Sequence, residues 1–227
     1  GYADHTFQAP HNIERRIRYT ALSATNRPAL SLPPQEAEQT RRLPPGGNPE
    51  ARDLAARWRK ESESPAEIVE HGLDFFRRRS FRYSLNPPVL GQEPVDDFLF
   101  WSKTGFCEHY ASAFAFLMRA AGLPARVIGG YLGGEPNPFG GYLIVRQSDA
   151  HAWVEVWLPG RGWVRTDPTR AVAPDRAAGG TEAAIPPEER IQRYPLSGLP
   201  LVGSAARSLF LGWDAANTFW NRRIMGY

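Results

Sequence analysis

Cysteine and lysine are the scarcest of the chemically versatile residues in this 227-residue chain. The one cysteine, Cys107, excludes an internal disulfide framework and any zinc site built from several cysteines. Lys60 and Lys103 are the only lysines among 27 basic side chains, which we interpret first as genomic codon bias. No segment approaches the roughly 18 consecutive apolar residues that a membrane-spanning helix requires. The single thiol is therefore either an inert core residue or a working one.

Excess charge of one sign is also small, because 27 basic and 24 acidic side chains leave a net charge of +3. The sequence pI of about 9.2 would suit a nucleic-acid partner. However, no segment gathers basic residues on one face with aromatic residues between them, so we predict no nucleic-acid partner. With 42% hydrophobic residues, the chain can form one large domain or two small ones with a true core.

Proline and glycine are abundant, at 21 residues each, and their clusters divide the chain. Clusters at 33–34 and 44–47 end an N-terminal arm, and a stretch rich in alanine, glycine and proline at 173–187 follows the core. We predict an arm at 1–47, a core domain at 48–172, and a linker and helix at 173–227. Apolar residues at alternating positions from Ile13 to Ala21 predict a strand in the arm.

Helical signals come first in the core domain. Asn48 is the predicted N-cap of a helix over 50–60, and Ser64 with Glu67 has the spacing of a capping box for a second helix. Residues 107–121 carry apolar side chains at helical spacing, which predicts a buried helix that begins with the cysteine.

Strand signals follow. Period-two patterns predict antiparallel strands at 126–132, 142–147, 150–158 and 162–166, with a glycine-rich loop at 133–141 and a short extended piece at 81–84. The predicted fold class is α+β, with the cysteine-bearing helix packed on an antiparallel sheet.

The position of Cys107 leaves two interpretations open. A thiol at a helix N-terminus faces the positive end of the helix dipole and unpaired N–H groups, which favour a reactive thiolate. Cysteine is also among the most buried residue types and usually only packs. A nucleophile further needs a base, and a group that orients the base.

His151 and Asp167 are the candidates for these two roles. Strand alternation puts His151 on one face with Trp153, Glu155 and Trp157. If the next strand pairs so that odd positions face odd positions, Asp167 lies opposite Trp153 or Glu155, or diagonal to His151. The opposite register would put Asp167 on the other face. Without the pairing, the two residues would be a half-exposed strand histidine and a strand-ending turn.

Four blocks of sequence, taken in order, resemble the transglutaminase-like superfamily. They read GFCEHYASA at 105–113, RAAGLPARV at 119–127, DAHAWVE at 149–155 and GWVRTDPT at 162–169. The resemblance implies a papain-like core in which Cys107 is the nucleophile, His151 the general base and acid, and Asp167 the residue that orients and charges the imidazole. It implies an enzyme that forms a thioester from a glutamine side-chain amide and passes the acyl group to a primary amine.

Other residues near these blocks have weaker assignments. The Cys107 N–H is the natural first oxyanion donor. The tryptophan that supplies a second donor in animal enzymes has no clear counterpart, and Gln92 and Tyr83 are the candidates. His109 comes two residues after the nucleophile and points roughly 200° away around the helix, so we do not expect it to be the base. Glu155 either supports His151 or is a surface carboxylate.

No calcium-binding loop of the Asp-x-Asp-x-Asp-Gly kind is present, so we predict no metal and no cofactor. The family members that the blocks most resemble are bacterial membrane-anchored proteins. We therefore expect a periplasmic domain of an inner-membrane protein that acts on a protein or peptide, with membrane attachment through segments outside this chain. The C-terminal part at 173–227 is then juxtamembrane. Its apolar residues at 203–227 predict either a helix packed on the domain or an amphipathic segment near the membrane.

Two alternatives stay open. A cysteine peptidase or amidase would use the same three residues with water as acceptor, and would release new amino termini without crosslinks. A binding module that keeps the fold without catalysis would leave the Cys107 thiol no more reactive than a free thiol. The presence of all three residues argues against the second alternative.

Overall fold

The computed structural model describes residues 19–22, 31–174, 208–216 and 218–219. Its helices are α1 (Pro34–Gln39), α2 (Pro49–Glu61), α3 (Pro65–Arg78), α4 (Pro94–Asp96), which continues as a π-helical turn at Asp97–Ser102, α5 (Cys107–Ala120) and α6 (Pro168–Val172). Its strands are β1 (Arg82–Tyr83), β2 (Thr104–Gly105), β3 (Ala125–Tyr131), β4 (Glu135–Asn137), β5 (Tyr142–Ile144), β6 (Ala150–Leu158) and β7 (Gly162–Thr166). The predicted arm strand lies mostly outside these residues, and its part at 19–22 has no regular structure.

Helices α2 and α4 cap each other. Asn48 is the N-cap residue of α2 and Pro49 its first helical residue, as predicted, although the Asn48 side chain makes no capping hydrogen bond to that helix. Its left-handed backbone (φ 53°) is not the extended conformation of an ordinary N-cap, and its Oδ1 accepts N–H groups of Val95 (2.8 Å) and Asp96 (3.2 Å). In return, the buried Asp96 carboxylate accepts the N–H groups of Glu50 (2.9 Å) and Ala51 (2.8 Å).

The predicted N-cap of α3 is confirmed. Ser64 Oγ accepts the Glu67 N–H at 3.3 Å, while the Glu67 carboxylate accepts the N–H of Glu63 at 2.8 Å. The extended piece at 81–84 is also confirmed, since it contains β1, which pairs in parallel with β2.

Helix α5 is the centre of the core, as its apolar sequence predicts. Tyr110, Phe114 and Leu117 are completely buried, and the helix packs on α2 and α3 on one side and on β3 and β6 on the other. Burying each such side chain stabilises the fold by about 1.5–3 kcal/mol. The helix ends before Gly122, whose φ of +90° is a conformation that favours glycine.

The central sheet has the strand order β3-β6-β7, and both pairings are antiparallel. Ala152, Val154 and Val156 of β6 face the core, while His151 lies on the opposite face. Val154 pairs with Thr166, so odd positions of β6 face odd positions of β7. This is the register that puts Asp167 on the face of His151.

One predicted strand belongs elsewhere. The segment predicted as a strand at 142–147 is extended only over β5, which pairs with β4 inside the predicted glycine-rich loop, not with the central sheet. The reason is Asn137, which is buried and folds the hairpin turn by accepting the N–H groups of Phe139 (3.0 Å) and Gly140 (3.3 Å). A salt bridge of 2.6 Å between Glu135 and Arg146 holds its base.

Segments on both sides of the core domain contact it. In the arm, the carbonyl of Thr40 accepts the N–H of Ala125 at 3.0 Å. A helix at 208–216 packs on the β4–β5 hairpin, where Asn137 Nδ2 donates to the carbonyl of the buried Leu211 at 2.9 Å. None of the helices among the described residues is long and apolar enough to cross a membrane.

Candidate active site

The thiol lies at the beginning of the buried helix. Cys107 is the first residue of α5 and is 7% exposed. Its backbone N–H belongs to the first turn, where N–H groups have no partner inside the helix. The chain entering this turn is fixed by β1, because the Ser84 N–H donates to the Gly105 carbonyl at 2.9 Å. The pairing of β1 with β2 thus fixes the position of the first turn of α5 and of the Cys107 thiol.

A short contact joins the other two predicted residues. His151 Nε2 lies 2.7 Å from Asp167 Oδ2, and the imidazole is completely buried. Burial by itself lowers the pKa of His151, but the hydrogen bond to Asp167 and the adjacent Cys107 thiol outweigh it and raise the pKa to about 9. The ring is therefore positively charged at neutral pH, and its Nε2–H donates to the carboxylate.

Asp167 holds this position through a second contact. It is the N-cap of α6, and its other oxygen, Oδ1, accepts the Thr169 N–H at 3.1 Å. One carboxylate thus begins a helix and orients the imidazole. The predicted strand-ending turn and the predicted partner of His151 are the same residue.

The second ring nitrogen of His151, Nδ1, is the one that is available to the Cys107 thiol. His151 Nδ1 is buried and has no hydrogen-bond partner among the described residues. Cys107 is near enough to His151 to raise the pKa of the ring, and Nε2 is already taken by Asp167. The three residues therefore lie in the order thiol, imidazole and carboxylate, which suits transfer of a proton between the thiol and the ring.

Trp153 shields the imidazole. Its ring stacks beside that of His151, with centroids 6.2 Å apart, and the guanidinium of Arg165 covers it at 4.2 Å. A Cβ at Gly130 on the neighbouring strand would come within 2.7 Å of the indole, so only glycine leaves room for the ring. The period-two pattern places Trp153 on the correct face, but gives no sign of Gly130 or Arg165.

Two nearby candidates do not join this group. His109 turns back on its own helix, where its Nδ1 accepts the Phe106 N–H at 3.4 Å, and burial lowers its pKa. The prediction that it is not the partner of Cys107 agrees with this contact. Glu155 accepts two hydrogen bonds from Arg126, at 2.9 and 2.7 Å. The two residues form an ion pair across neighbouring strands, so the Glu155 carboxylate does not orient His151.

The second oxyanion donor stays a prediction. Tyr83 is buried with its ring stacked on Tyr110, one turn after Cys107, whereas Gln92 is exposed. Of the two, Tyr83 lies nearer the thiol-bearing turn. Within the described part of the chain, no three His, Cys, Asp or Glu side chains cluster as metal ligands would.

Comparison with known proteins finds related sequences. A sequence model of the transglutaminase-like superfamily matches residues 52–168. A Pseudomonas aeruginosa protein named protein-glutamine gamma-glutamyltransferase is 43% identical over 230 residues, covering 99% of this chain and 34% of the relative. The uncharacterized protein YebA of Bacillus subtilis is 35% identical over 126 residues, covering 52% of this chain and 17% of the relative.

The fold has a counterpart among solved structures. The crystal structure of the periplasmic domain of TgpA from Pseudomonas aeruginosa matches with a TM-score of 0.67 and 50% sequence identity, over 68% of this chain and 54% of that one. The chain thus spans about a third of the curated relative and about half of the crystallised domain. The predicted α+β fold is confirmed, and the chain belongs to the transglutaminase-like superfamily.

Proposed function

We propose that this domain is a cysteine acyltransferase of the transglutaminase type, which acts on the glutamine side chains of a protein or peptide and transfers them to primary amines. The observation that carries the proposal is the 2.7 Å contact between His151 and Asp167 beside the only cysteine. With a pKa of about 9, His151 is an imidazolium at neutral pH, and an imidazolium stabilises a neighbouring thiolate.

The first half-reaction forms a thioester. The Cys107 thiolate attacks the carbonyl carbon of the glutamine amide, and the electron pair of the C=O bond moves to oxygen. The Cys107 N–H at the start of α5 stabilises that oxygen. His151 then gives its proton to the amide nitrogen, the C–N bond breaks, and ammonia leaves.

The second half-reaction transfers the acyl group. His151, now neutral, takes a proton from a primary amine as its nitrogen attacks the thioester. The C–S bond breaks, which restores the thiolate and the imidazolium. Asp167 stays ionised throughout, held by His151 and by the Thr169 N–H. If water attacks in place of the amine, the product is glutamate.

The proposed setting is the periplasm, with attachment to the inner membrane through segments outside this chain. The support for it is the 50% identity with a crystallised domain that is described as periplasmic. The substrates in this setting are proteins or peptides of the cell envelope.

The test is incorporation of a dansylated primary amine into casein by the purified chain. The wild type should label casein, Cys107→Ala should not, and Ser112→Ala, on the exposed side of the same helix, should behave as the wild type. Mass spectrometry should find an acyl adduct on Cys107 that hydroxylamine removes. No incorporation by the wild type, or equal incorporation by Cys107→Ala, would contradict the proposal. Release of ammonia without incorporation of the amine would mean that the chain hydrolyses glutamine and does not transfer it.

A further inference from the structure

A groove of about 610 Å³ runs along the outer strand of the sheet and ends at the proposed catalytic group. One wall is α3, and the other is formed by β7 and α6. Apolar side chains line part of it, among them Val69, Leu73 and Val164. Asp167, which bonds to His151, is one of the lining residues. The groove therefore touches the proposed catalytic group at its carboxylate, and neither Cys107 nor His151 lines it.

The charges of the β7 and α6 wall are unbalanced. Arg161, Arg165 and Arg170 all line the groove and are exposed. None of the three forms a salt bridge with an acidic side chain in the described part of the protein. Arg165 instead lies over the ring of Trp153. Carboxylates of a ligand would supply the anionic partners that these three guanidinium groups do not have among the described residues.

The acidic residues of the groove do not supply these anions. Glu67 on α3 accepts the N–H of Glu63 and a hydrogen bond from Ser64. Glu70 lies 3.7 Å from Arg77 of the same helix, on the opposite wall. The Asp167 carboxylate is used by His151 and Thr169. The positive charge of the β7 and α6 wall is therefore available to a ligand.

The shape of the groove fits an extended chain. Strand β7 is an outer strand of the described sheet, with β6 on its other side. An extended peptide can lie beside such an edge and place side chains on both walls. The apolar lining suits peptide side chains, whereas a nucleic acid would need aromatic or purely basic surfaces.

We propose that this groove binds an acidic, extended segment of the polypeptide substrate, with carboxylates on Arg161, Arg165 and Arg170 and apolar side chains against Val69 and Leu73. This inference rests on the proposed function only in taking a polypeptide as the substrate. It adds a preference for polypeptide substrates that carry an acidic and apolar extended segment.

The test measures binding without catalysis. A fluorescein-labelled decapeptide of alternating glutamate and leucine around one glutamine is titrated with Cys107→Ala, and a second peptide has glutamine at every glutamate position. The acidic peptide should bind more tightly, and its affinity should fall with ionic strength. Arg161→Gln combined with Arg170→Gln should weaken it about tenfold, which is typical of losing two charge pairs in a partly open site.

The matched control removes two positive charges elsewhere. Arg57 and Lys60 are exposed on α2 and do not line the groove, so Arg57→Gln with Lys60→Gln should leave the affinity unchanged. Circular dichroism checks that both double variants are folded. Equal binding of the two peptides, no effect of salt, an equal loss in both double variants, or displacement of the peptide by a single-stranded oligonucleotide would overturn the proposal.

These results are independent of turnover. A wild-type chain that binds the acidic peptide through the groove but labels no casein would refute the proposed function and leave the groove assignment intact. A chain that labels casein but binds both peptides equally would refute the groove assignment and support the proposed function.

Discussion

Replacing Asp167 by asparagine should turn the buried imidazolium into a neutral ring. The pKa of His151, about 9 against an ordinary 6.5, corresponds to a preference of about 3 kcal/mol for the charged form. Burial opposes that preference, and Asp167 is the largest influence in its favour. Without the carboxylate, only Cys107 opposes the effect of burial, and the pKa of His151 should fall toward its ordinary 6.5. At pH 7.5, the protonated fraction then drops from about 97% toward about 10%.

NMR titration of histidine-labelled protein follows this change directly. In the wild type, one histidine should titrate near pH 9, and in Asp167→Asn that resonance should titrate well below pH 9. The rate of Cys107 alkylation by iodoacetamide at pH 6 to 7 should fall in the variant, because the imidazolium that stabilises the thiolate is lost. Asp53→Asn, an exposed substitution on α2, is the control and should leave both measurements unchanged.

A His151 resonance that still titrates near pH 9 in Asp167→Asn would refute the reasoning. It would mean that the charged ring is stabilised by something other than the carboxylate. An unchanged alkylation rate together with a lowered pKa would refute the narrower step from imidazolium to thiolate.

Three further predictions concern stability and positioning. Because the folded-state pKa of His151 is raised, its contribution to stability is complete below pH 6.5 and is lost as the pH rises toward 9. The free energy of unfolding in urea should therefore fall by about 3 kcal/mol across this range. A free energy that does not change with pH would contradict the prediction. Gly130→Ala should displace Trp153 and lower amine incorporation severalfold. Gly129→Ala, whose Cβ would meet nothing within 4 Å, should leave amine incorporation unchanged. Equal effects of the two substitutions would refute the packing argument. Asp96→Ala should lower the free energy of unfolding by about 2 kcal/mol, since it removes the acceptor of one buried and one partly buried helix N–H group. Thermal unfolding measures this loss, and an unchanged stability would contradict the prediction.

The part of the site built on sheet periodicity could be predicted from the sequence. Alternation along β6 predicts the face on which His151 lies. The short connection after β6 leaves two possible registers between β6 and β7, and the structure has the register that brings Asp167 to His151. The helix that begins with Cys107 was predictable for a similar reason, because its apolar spacing and Gly122 mark both ends.

Long-range polar contacts could not be predicted in this way. Asn48 and Asp96 are far apart in sequence, so the local N-cap pattern gave no sign that the Asn48 side chain bonds to α4. The hairpin of β4 and β5 was missed because glycine-rich composition conceals a turn that one buried asparagine organises. The groove depends on three arginines from different elements, and only the tertiary structure brings them together.

The sequence separation within the site has a consequence for when the proposed catalytic group is assembled. His151 and Asp167 belong to one antiparallel hairpin, β6 and β7, whose pairing is local in sequence. Cys107 comes from a helix that reaches this hairpin only when the core has packed. The thiol therefore gains the imidazole beside it only in the folded chain, and partial unfolding of the core would separate the two side chains.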